Sequence, residues 1–264
     1  KLDAGNIIFR NLFKTEPYFL SNQYNLRLRS NYYFKKILEQ YYKDRKFNFL
    51  KKYKVSNIIY KNPNFLKVIN YFLKILFRKL FSMKKINNWN IAVYKGDYKK
   101  INHKKSIYAP RSNKYFLADP FLYKYSNNYF IFAEKFIYSE DKGEIAVFKL
   151  EKNSLIELGT AIKEKFHLSF PYIFQFKKKI YCIPDSSFNK DLRIYVSEKF
   201  PLTWKLHKVI FKNIKATDTL IYKQNKNWEM ITNLNPNDTD DLNSELFLFK
   251  SNNPIQKKWK EQEN

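Results

Sequence analysis

Glycine is scarce, with four in 264 residues, and that excludes collagen-like and Gly-rich low-complexity chains. The one cysteine, Cys182, excludes a disulfide framework and a cysteine zinc site. His103, His167 and His207 are too widely spaced for a His-rich metal site, so no metal is expected. No run of 18 uncharged apolar residues occurs, which excludes an ordinary membrane-spanning helix. Acids are also short: 24 Asp+Glu face 50 Lys+Arg, a net charge of +26.

Such a charge invites a nucleic-acid partner. Only seven of the 50 basic residues are Arg, however, and nucleic-acid readers favour Arg forks on bases and phosphates. The excess is Lys on a background rich in Asn, Ile, Phe and Tyr, the blend that an AT-rich coding sequence yields. No specific nucleic-acid partner is expected.

What the chain does have is a hydrophobic fraction of 44%, enough to build a core and to exclude global disorder. Its charge is uneven. Residues 1–85 hold 20 Lys+Arg and four acids; residues 86–264 hold 30 and 20. The residue pattern changes at the same place. Before it, apolar residues recur at helical spacing; after it, short aromatic and β-branched runs alternate with turn residues. A helical, basic N-terminal part and a β-rich C-terminal part are predicted.

In the first part, Ser30–Tyr42 has helical spacing, and Asn62-Pro63-Asn64 signals the start of a helix over Phe65–Met83. That second helix sets a broad apolar face (Phe65, Leu66, Ile69, Phe72, Leu73, Leu76, Leu80) against a narrow stripe of Lys67, Asn70, Lys74 and Arg78. Such a helix either docks on its own protein or lies on an anionic membrane surface through 65–83.

The second part repeats. Ala118-Asp119-Pro120-Phe121, Ser169-Phe170-Pro171-Tyr172 and Thr217-Asp218-Thr219-Leu220 align, with Asp119, Phe170 and Asp218 in register at steps of 51 and 48 residues. Second strands follow at Tyr129–Ala133, Ile180–Ile183 and Trp228–Thr232, and third strands at Glu144–Leu150, Leu192–Ser197 and Glu245–Lys250. A repeat of about 50 residues made of short strands marks a β-propeller blade, with a β-solenoid as the competing architecture. The expected fold is mainly β: a partial five-bladed β-propeller of three to four blades behind a helical basic segment.

Register also places the chemistry. Asp119 and Asp218 are expected at the start of innermost strands, facing the central axis. Fifteen residues on, Glu134, Asp185 and Asn233 fall in alignment. Carboxyl groups converging on one funnel serve as general base, general acid or ligands to sugar hydroxyls; the plainer alternative is that they cap turns. Asp119 and Asp218 are the catalytic candidates. Glu134, Asp185 and Tyr172 are the substrate-binding ones, and Phe121, Tyr172 and Trp228 are candidates for stacking on sugar faces.

An ordered series carries a resemblance: Trp89-Asn90-Ile91-Ala92-Val93-Tyr94, Phe116-Leu117-Ala118-Asp119-Pro120-Phe121-Leu122, Lys142-Gly143-Glu144-Ile145, His167-Leu168-Ser169-Phe170-Pro171-Tyr172, Ile183-Pro184-Asp185-Ser186-Ser187 and Ala216-Thr217-Asp218-Thr219-Leu220. It resembles the N-terminal domain of plant glucosamine inositolphosphorylceramide transferases and their bacterial relatives. The resemblance covers about residues 88–260 and implies a five-bladed propeller akin to furanosidases. Where that family has Pro-Glu-Ser, this chain has Pro184-Asp185-Ser186.

A second resemblance rests on Lys1-Leu2-Asp3-Ala4-Gly5-Asn6-Ile7-Ile8, similar to the Leu-Asp-x-Gly-x-Ile loop of folate-dependent formyltransferases. It implies a catalytic role for Asp3 beside an Asn and a His that would lie upstream, and formyl-tetrahydrofolate as the cofactor of a complete upstream domain. No cofactor is expected for these 264 residues themselves. An ordinary Asp-Ala-Gly turn is the alternative.

The expected organisation is therefore 1–30 as the tail of a formyltransferase-like domain, 31–85 as a helical basic linker and 86–264 as a propeller domain, with the whole a fragment cut at both ends. The expected function is that of a carbohydrate-active transferase of surface-glycan biosynthesis, with a sugar or nucleotide sugar as ligand. A non-catalytic glycan-binding module or a furanosidase-like hydrolase remains open. The expected location is cytoplasmic, with membrane association through 65–83 as an addition.

Overall fold

The structure is a computed structural model and describes residues 6–10, 15, 17–47, 49–50, 62–81, 88–235 and 245–262. Asp3 and most of its loop lie outside the described residues. The chain divides into two units, Lys1–Lys85 and Ile86–Asn264.

The first unit has two helices, α1 (Phe19–Asp44) and α2 (Phe65–Phe81). α1 starts well ahead of the Ser30 expected from spacing. It carries no side-chain cap at Tyr18 and buries no residue, so nothing in Ser21, Asn22, Gln23 or Asn25 announced it. It ends at Arg45 in the left-handed conformation, φ 54°, whose N–H bonds the Tyr41 carbonyl at 2.7 Å. α2 begins as its start signal predicts: Asn64 Oδ1 accepts the Lys67 N–H at 3.0 Å. Val68 and Ile75, one stripe of α2, are half-buried. Between them, the Tyr71 hydroxyl accepts the Phe19 N–H and donates to the Pro17 carbonyl, both at 3.1 Å. The opposite apolar face of α2 stays exposed. Among the described residues no helix is long and apolar enough to cross a membrane.

The second unit is mainly β. A two-stranded ladder of β1 (Ala92–Val93) and β2 (Ile107–Tyr108) precedes three four-stranded antiparallel meanders. The first is β3 (Tyr115–Tyr125), β4 (Asn128–Ile137), β5 (Lys142–Glu151) and β6 (Ser154–Ile162). The second is β7 (Ser169–Phe176), β8 (Lys179–Asp185), β9 (Asp191–Lys199) and β10 (Thr203–Lys212). The third is β11 (Lys215–Gln224), β12 (Asn227–Asn235), β13 (Leu246–Ser251) and β14 (Lys260–Gln262). The sheets do not close into a ring. β3 and β11 both pack against β7, which sets the first strands of the three sheets side by side.

Each repeat has four strands where spacing alone shows three. In the first two sheets the fourth strand was hidden by its own irregularity. β6 and β10 pair with register shifts that break the two-residue alternation, and β6 carries Gly159 at φ 134°. Lys205 and Lys208 also lie along the outer strand β10, a common way of blunting an exposed edge.

The core lies between the sheets, and strand alternation explains it. In β4, Phe130 and Phe132 face the second sheet, while Ile131 and Ala133 face the layer below β1 and β2. In β8, Ile180 and Cys182 face the first sheet, while Tyr181 and Ile183 face the third. Middle strands are therefore apolar on both faces, which is why they read as unbroken runs. Phe132 and Phe148 are fully buried. Each such side chain contributes about 1.5–3 kcal/mol relative to exposure.

Candidate functional site

The register positions are β-bulges. In β3, Ala118 pairs with Glu134 and Phe121 with Phe132, so Asp119 and Pro120 together oppose one residue. The same two-against-one count puts bulges at Phe170-Pro171 and Asp218-Thr219. All three first bulge residues have positive φ: Asp119 47°, Phe170 44° and Asp218 52°. Asp tolerates this left-handed region through its short polar side chain; Phe does not, so Phe170 is the strained member. The second bulge residue loses its ladder bond. Pro120 and Pro171 have no N–H to lose. In the third sheet the Thr219 hydroxyl meets that of Thr232 at 2.7 Å, and Thr232 Oγ1 also donates to the Thr217 carbonyl at 3.0 Å.

These bulges correct the expected placement: Asp119 and Asp218 lie within their strands at the kink, not at the strand starts. Asp119 is close enough to Glu134, Asp185 and Asp218 to act on the charge of each. Asp119 is exposed, Asp185 and Asp218 are half-buried and Glu134 is buried. Glu134 and Asp185 pair with Ala118 and Ser169, the residues just before the first two bulges. Asn233 pairs with Thr217 at the third.

Three of these four carboxyl groups have a raised proton affinity, and the charge of Asp119 contributes to each rise. Burial first, then Asp119 and Asp185, pushes Glu134 up to about 8. Burial also raises Asp185, to about 6, against the pull of hydrogen bonds from Ser187 and with a push from Asp218 and Asp119. Burial and then Asp119 raise Asp218. Among the described residues none of the four is ion-paired with Lys or Arg, although other acids of this unit are. Glu144 meets Lys163 at 3.2 Å, Asp191 meets Arg193 at 2.8 Å and Glu229 meets Lys250 at 3.4 Å.

His167 joins the cluster. Its Nδ1 accepts the Gly143 N–H at 2.9 Å and its Nε2 lies 3.5 Å from Glu134 Oε1. Burial lowers its proton affinity, opposed by Asp119 and Asp141, so it is held as neutral imidazole. Gly143 permits this packing. A Cβ there would lie 2.5 Å from the Leu168 carbonyl oxygen, 3.0 Å from His167 Cε1 and 3.1 Å from Glu134 Cγ.

Asp185 has local partners. Its Oδ1 accepts the Ser187 N–H at 2.8 Å, capping the turn Ser187–Asn189, and Ser186 Oγ donates to the Asp191 carbonyl at 2.8 Å. That turn presents Phe188, largely exposed, against His167 with ring centroids 4.9 Å apart.

The aromatic residues at the mouth are not the ones expected. Tyr172 packs between inner strands: its hydroxyl donates to the Ile221 carbonyl and its ring meets Phe121 at 5.0 Å. Trp228 packs on Phe174 and Phe176. A cleft of about 540 Å³ beside the carboxyl groups is instead lined by Trp89, Phe116, Asp119, Pro120 and Glu134. Trp89 is 66% exposed, a free aromatic platform. Reasoning from the repeat missed Trp89 because it precedes the repeat, and missed His167 because it sits between strands. A signal for Gly143 was present: it is one of only four glycines, and it stands inside a strand, as does Gly159.

Such a mouth offers an apolar wall for a ring face, acceptors for hydroxyl groups and a carboxyl group that carries a proton at neutral pH. Among the described residues no group of His, Cys, Asp and Glu is arranged to hold a metal ion.

Comparison with known proteins follows the same residues. Glucosamine inositolphosphorylceramide transferase 1 of Oryza sativa subsp. japonica is 34% identical over 142 residues, covering 53% of this chain and 19% of that protein. The Arabidopsis thaliana protein of the same name is also 34% identical over 142 residues, covering 53% and 18%. The chain thus spans about a fifth of the length of these relatives. Among solved structures, a family 117 glycoside hydrolase of the marine bacterium Zobellia galactanivorans is similar at 11% identity. It covers 67% of this chain and 62% of that one, with a TM-score of 0.46. The family model described as glucosamine inositolphosphorylceramide transferase 1, N-terminal, matches residues 81–264, and the chain belongs to that family.

Proposed function

We propose that residues 88–262 are a partial five-bladed β-propeller that binds a glycosyl unit, of a sugar or a nucleotide sugar, at the mouth formed by Trp89, Phe116, Asp119, Glu134, Asp185 and Asp218. The parent protein would serve glycosyl transfer in surface-glycan assembly. One observation carries the reading: four electrostatically coupled carboxyl groups, without Lys or Arg partners among the described residues, include two, Asp119 and Glu134, that line a cleft with an exposed Trp. Trp faces stack on the apolar faces of sugar rings, and carboxylates accept sugar hydroxyl donors at the geometry that fixes the ring. The curated relatives are named as glucosamine inositolphosphorylceramide transferases, which supports a glycosyl rather than a peptide or nucleic-acid ligand.

The test is calorimetric titration of the chain with a panel of neutral monosaccharides, amino sugars and uridine- and guanosine-diphosphate sugars. The expected result is saturable binding by at least one class, lost at least about tenfold in Trp89→Ala. Asp119→Asn separates two forms of the idea. An enzyme keeps binding and loses turnover; a passive glycan-binding module loses binding. No binding of any class in the millimolar range, or binding untouched by Trp89→Ala, refutes the site.

A further inference from the structure

We propose that Glu134 is the proton donor of this mouth and that His167, locked by the Gly143 N–H, is its positioning residue. This rests on the glycosyl-binding reading above and deepens it into a reaction class.

The argument begins with the backbone. The Gly143 N–H reaches His167 Nδ1 at 2.9 Å, and a hydrogen-bonded N–H leaves that nitrogen no room for a proton of its own. The imidazole proton therefore sits on Nε2. That nitrogen is 3.5 Å from Glu134 Oε1, so the ring presents a donor to one carboxyl oxygen. The arrangement is tight. The Gly143 carbonyl accepts the Leu168 N–H at 3.0 Å, so both backbone groups of Gly143 are spent on the segment that carries His167. Any side chain at 143 would drive into the Leu168 carbonyl, the imidazole and Glu134 together. Phe136 and Phe188 flank the imidazole at 5.8 and 4.9 Å and limit its rotation.

The surroundings of Glu134 favour its protonated form. The charged and titratable groups facing it are Asp119 from β3, Asp185 from β8 and the neutral His167; among the described residues no Lys or Arg joins them. The side chain is 8% exposed, yet it lines the cleft beside Trp89 and Phe116, so its proton is shielded from bulk water and open to a ligand. At neutral pH it carries that proton, with a midpoint near 8.

The step this allows is proton-assisted departure of a glycosyl leaving group. The bond from the anomeric carbon to the departing oxygen breaks, and that oxygen takes the proton of Glu134. The anomeric carbon forms a bond to the oxygen of an attacking hydroxyl, from water or an acceptor sugar. The proton of that hydroxyl passes to the carboxylate of Asp119, which is exposed and releases it to solvent. Glu134 regains its proton from solvent, and the site is reset.

The test reads proton positions in the whole chain, without needing the natural ligand. Glutamate side chains are labelled with carbon-13 and histidines with nitrogen-15, and both are followed by NMR from pH 5 to 9. The expected result is a Glu134 midpoint of about 8 and a His167 proton on Nε2, with Nδ1 bare, at pH 7. His167→Phe removes the donor facing Glu134, and the proton affinity of Glu134 rises by about threefold or more. His167→Gln, whose amide N–H reaches the same place, restores it. Should His167→Phe fail to fold, the wild-type midpoint and tautomer decide. A Glu134 midpoint in the ordinary carboxylate range, or a proton on Nδ1, overturns the proposal. A chain with this ionisation pattern that binds no sugar refutes the glycosyl reading and not the placement of the proton.

Discussion

Asp119 and Asp218 stand at the same kink of two different sheets, each the first residue of a β-bulge, with φ of 47° and 52°. A side chain in this region is tolerated by Asp, Asn and Gly and disfavoured for others by about 1–2 kcal/mol. Backbone and chemistry can therefore be separated. Asp218→Asn and Asp218→Gly should keep the chain's stability, whereas Asp218→Ala should lose about 1 kcal/mol in urea unfolding. All three should lower the proton affinity of Asp185, because each removes the charge of Asp218. Equal stability of Ala and Gly would mean that the bulge is not strained.

Burial of Glu134 has a consequence for stability against pH. Its folded midpoint, about 8, lies above its ordinary 4.5, so the folded state holds a proton that the unfolded state releases. The stability this gives is full below about 4.5 and is lost as pH rises through 8. His167 and His207, whose proton affinities are lowered, act the other way at and below their ordinary 6.5. The clean window is therefore pH 6.5 to 8.5. Across it the thermal midpoint should fall, and in Glu134→Gln it should stay nearly flat. A wild-type midpoint that rises across this window contradicts the protonated Glu134.

Gly143→Ala should be among the most damaging small substitutions in the chain. Its Cβ would meet backbone, the Leu168 carbonyl at 2.5 Å, which cannot swing aside. Overpacking of this kind costs about 1–3 kcal/mol. The His167 tautomer should be lost with it, visible in the imidazole nitrogen shifts. Gly96, where the close atoms belong to the Tyr94 ring, should accept Ala with less than half that loss.

Helix α2 makes a separate prediction. Its exposed face, with Phe65, Leu66, Phe72 and Leu80, lies across the helix from Lys67, Lys74 and Arg78, and α2 contains no acid. We propose contact with an anionic membrane surface, in which each basic residue adds about 1 kcal/mol within a Debye length. Sedimentation of the whole chain with phosphatidylserine vesicles should show binding that falls steeply from low to physiological salt. Leu73→Glu with Leu76→Glu should abolish it. Equal binding to neutral vesicles contradicts the electrostatic part.

The sequence was legible where a residue type and a spacing had one physical cause. The step of 51 and 48 residues is the bulge, and the fifteen-residue offset is the β-ladder that pairs Glu134, Asp185 and Asn233 with the residues before it. Aromatic roles were not legible. Phe121 and Tyr172 follow their bulges and Trp228 stands near the start of β12, all in the alternation that also fills the layers between sheets, and only contacts show that they pack there. Trp89 lies outside the repeat, so no register pointed to it. In the first two sheets the fourth strand was lost to its own bulges.

The central claim is that a sugar ring rests on Trp89 beside Asp119 and Glu134. The four tryptophans give one indole N–H signal each, so nitrogen-15 labelling of tryptophan alone reads the site directly. With the tightest-binding sugar of the panel, the Trp89 signal should move in proportion to occupancy while those of Trp204, Trp228 and Trp259 stay still. Movement of Trp228 with Trp89 unchanged would contradict the account.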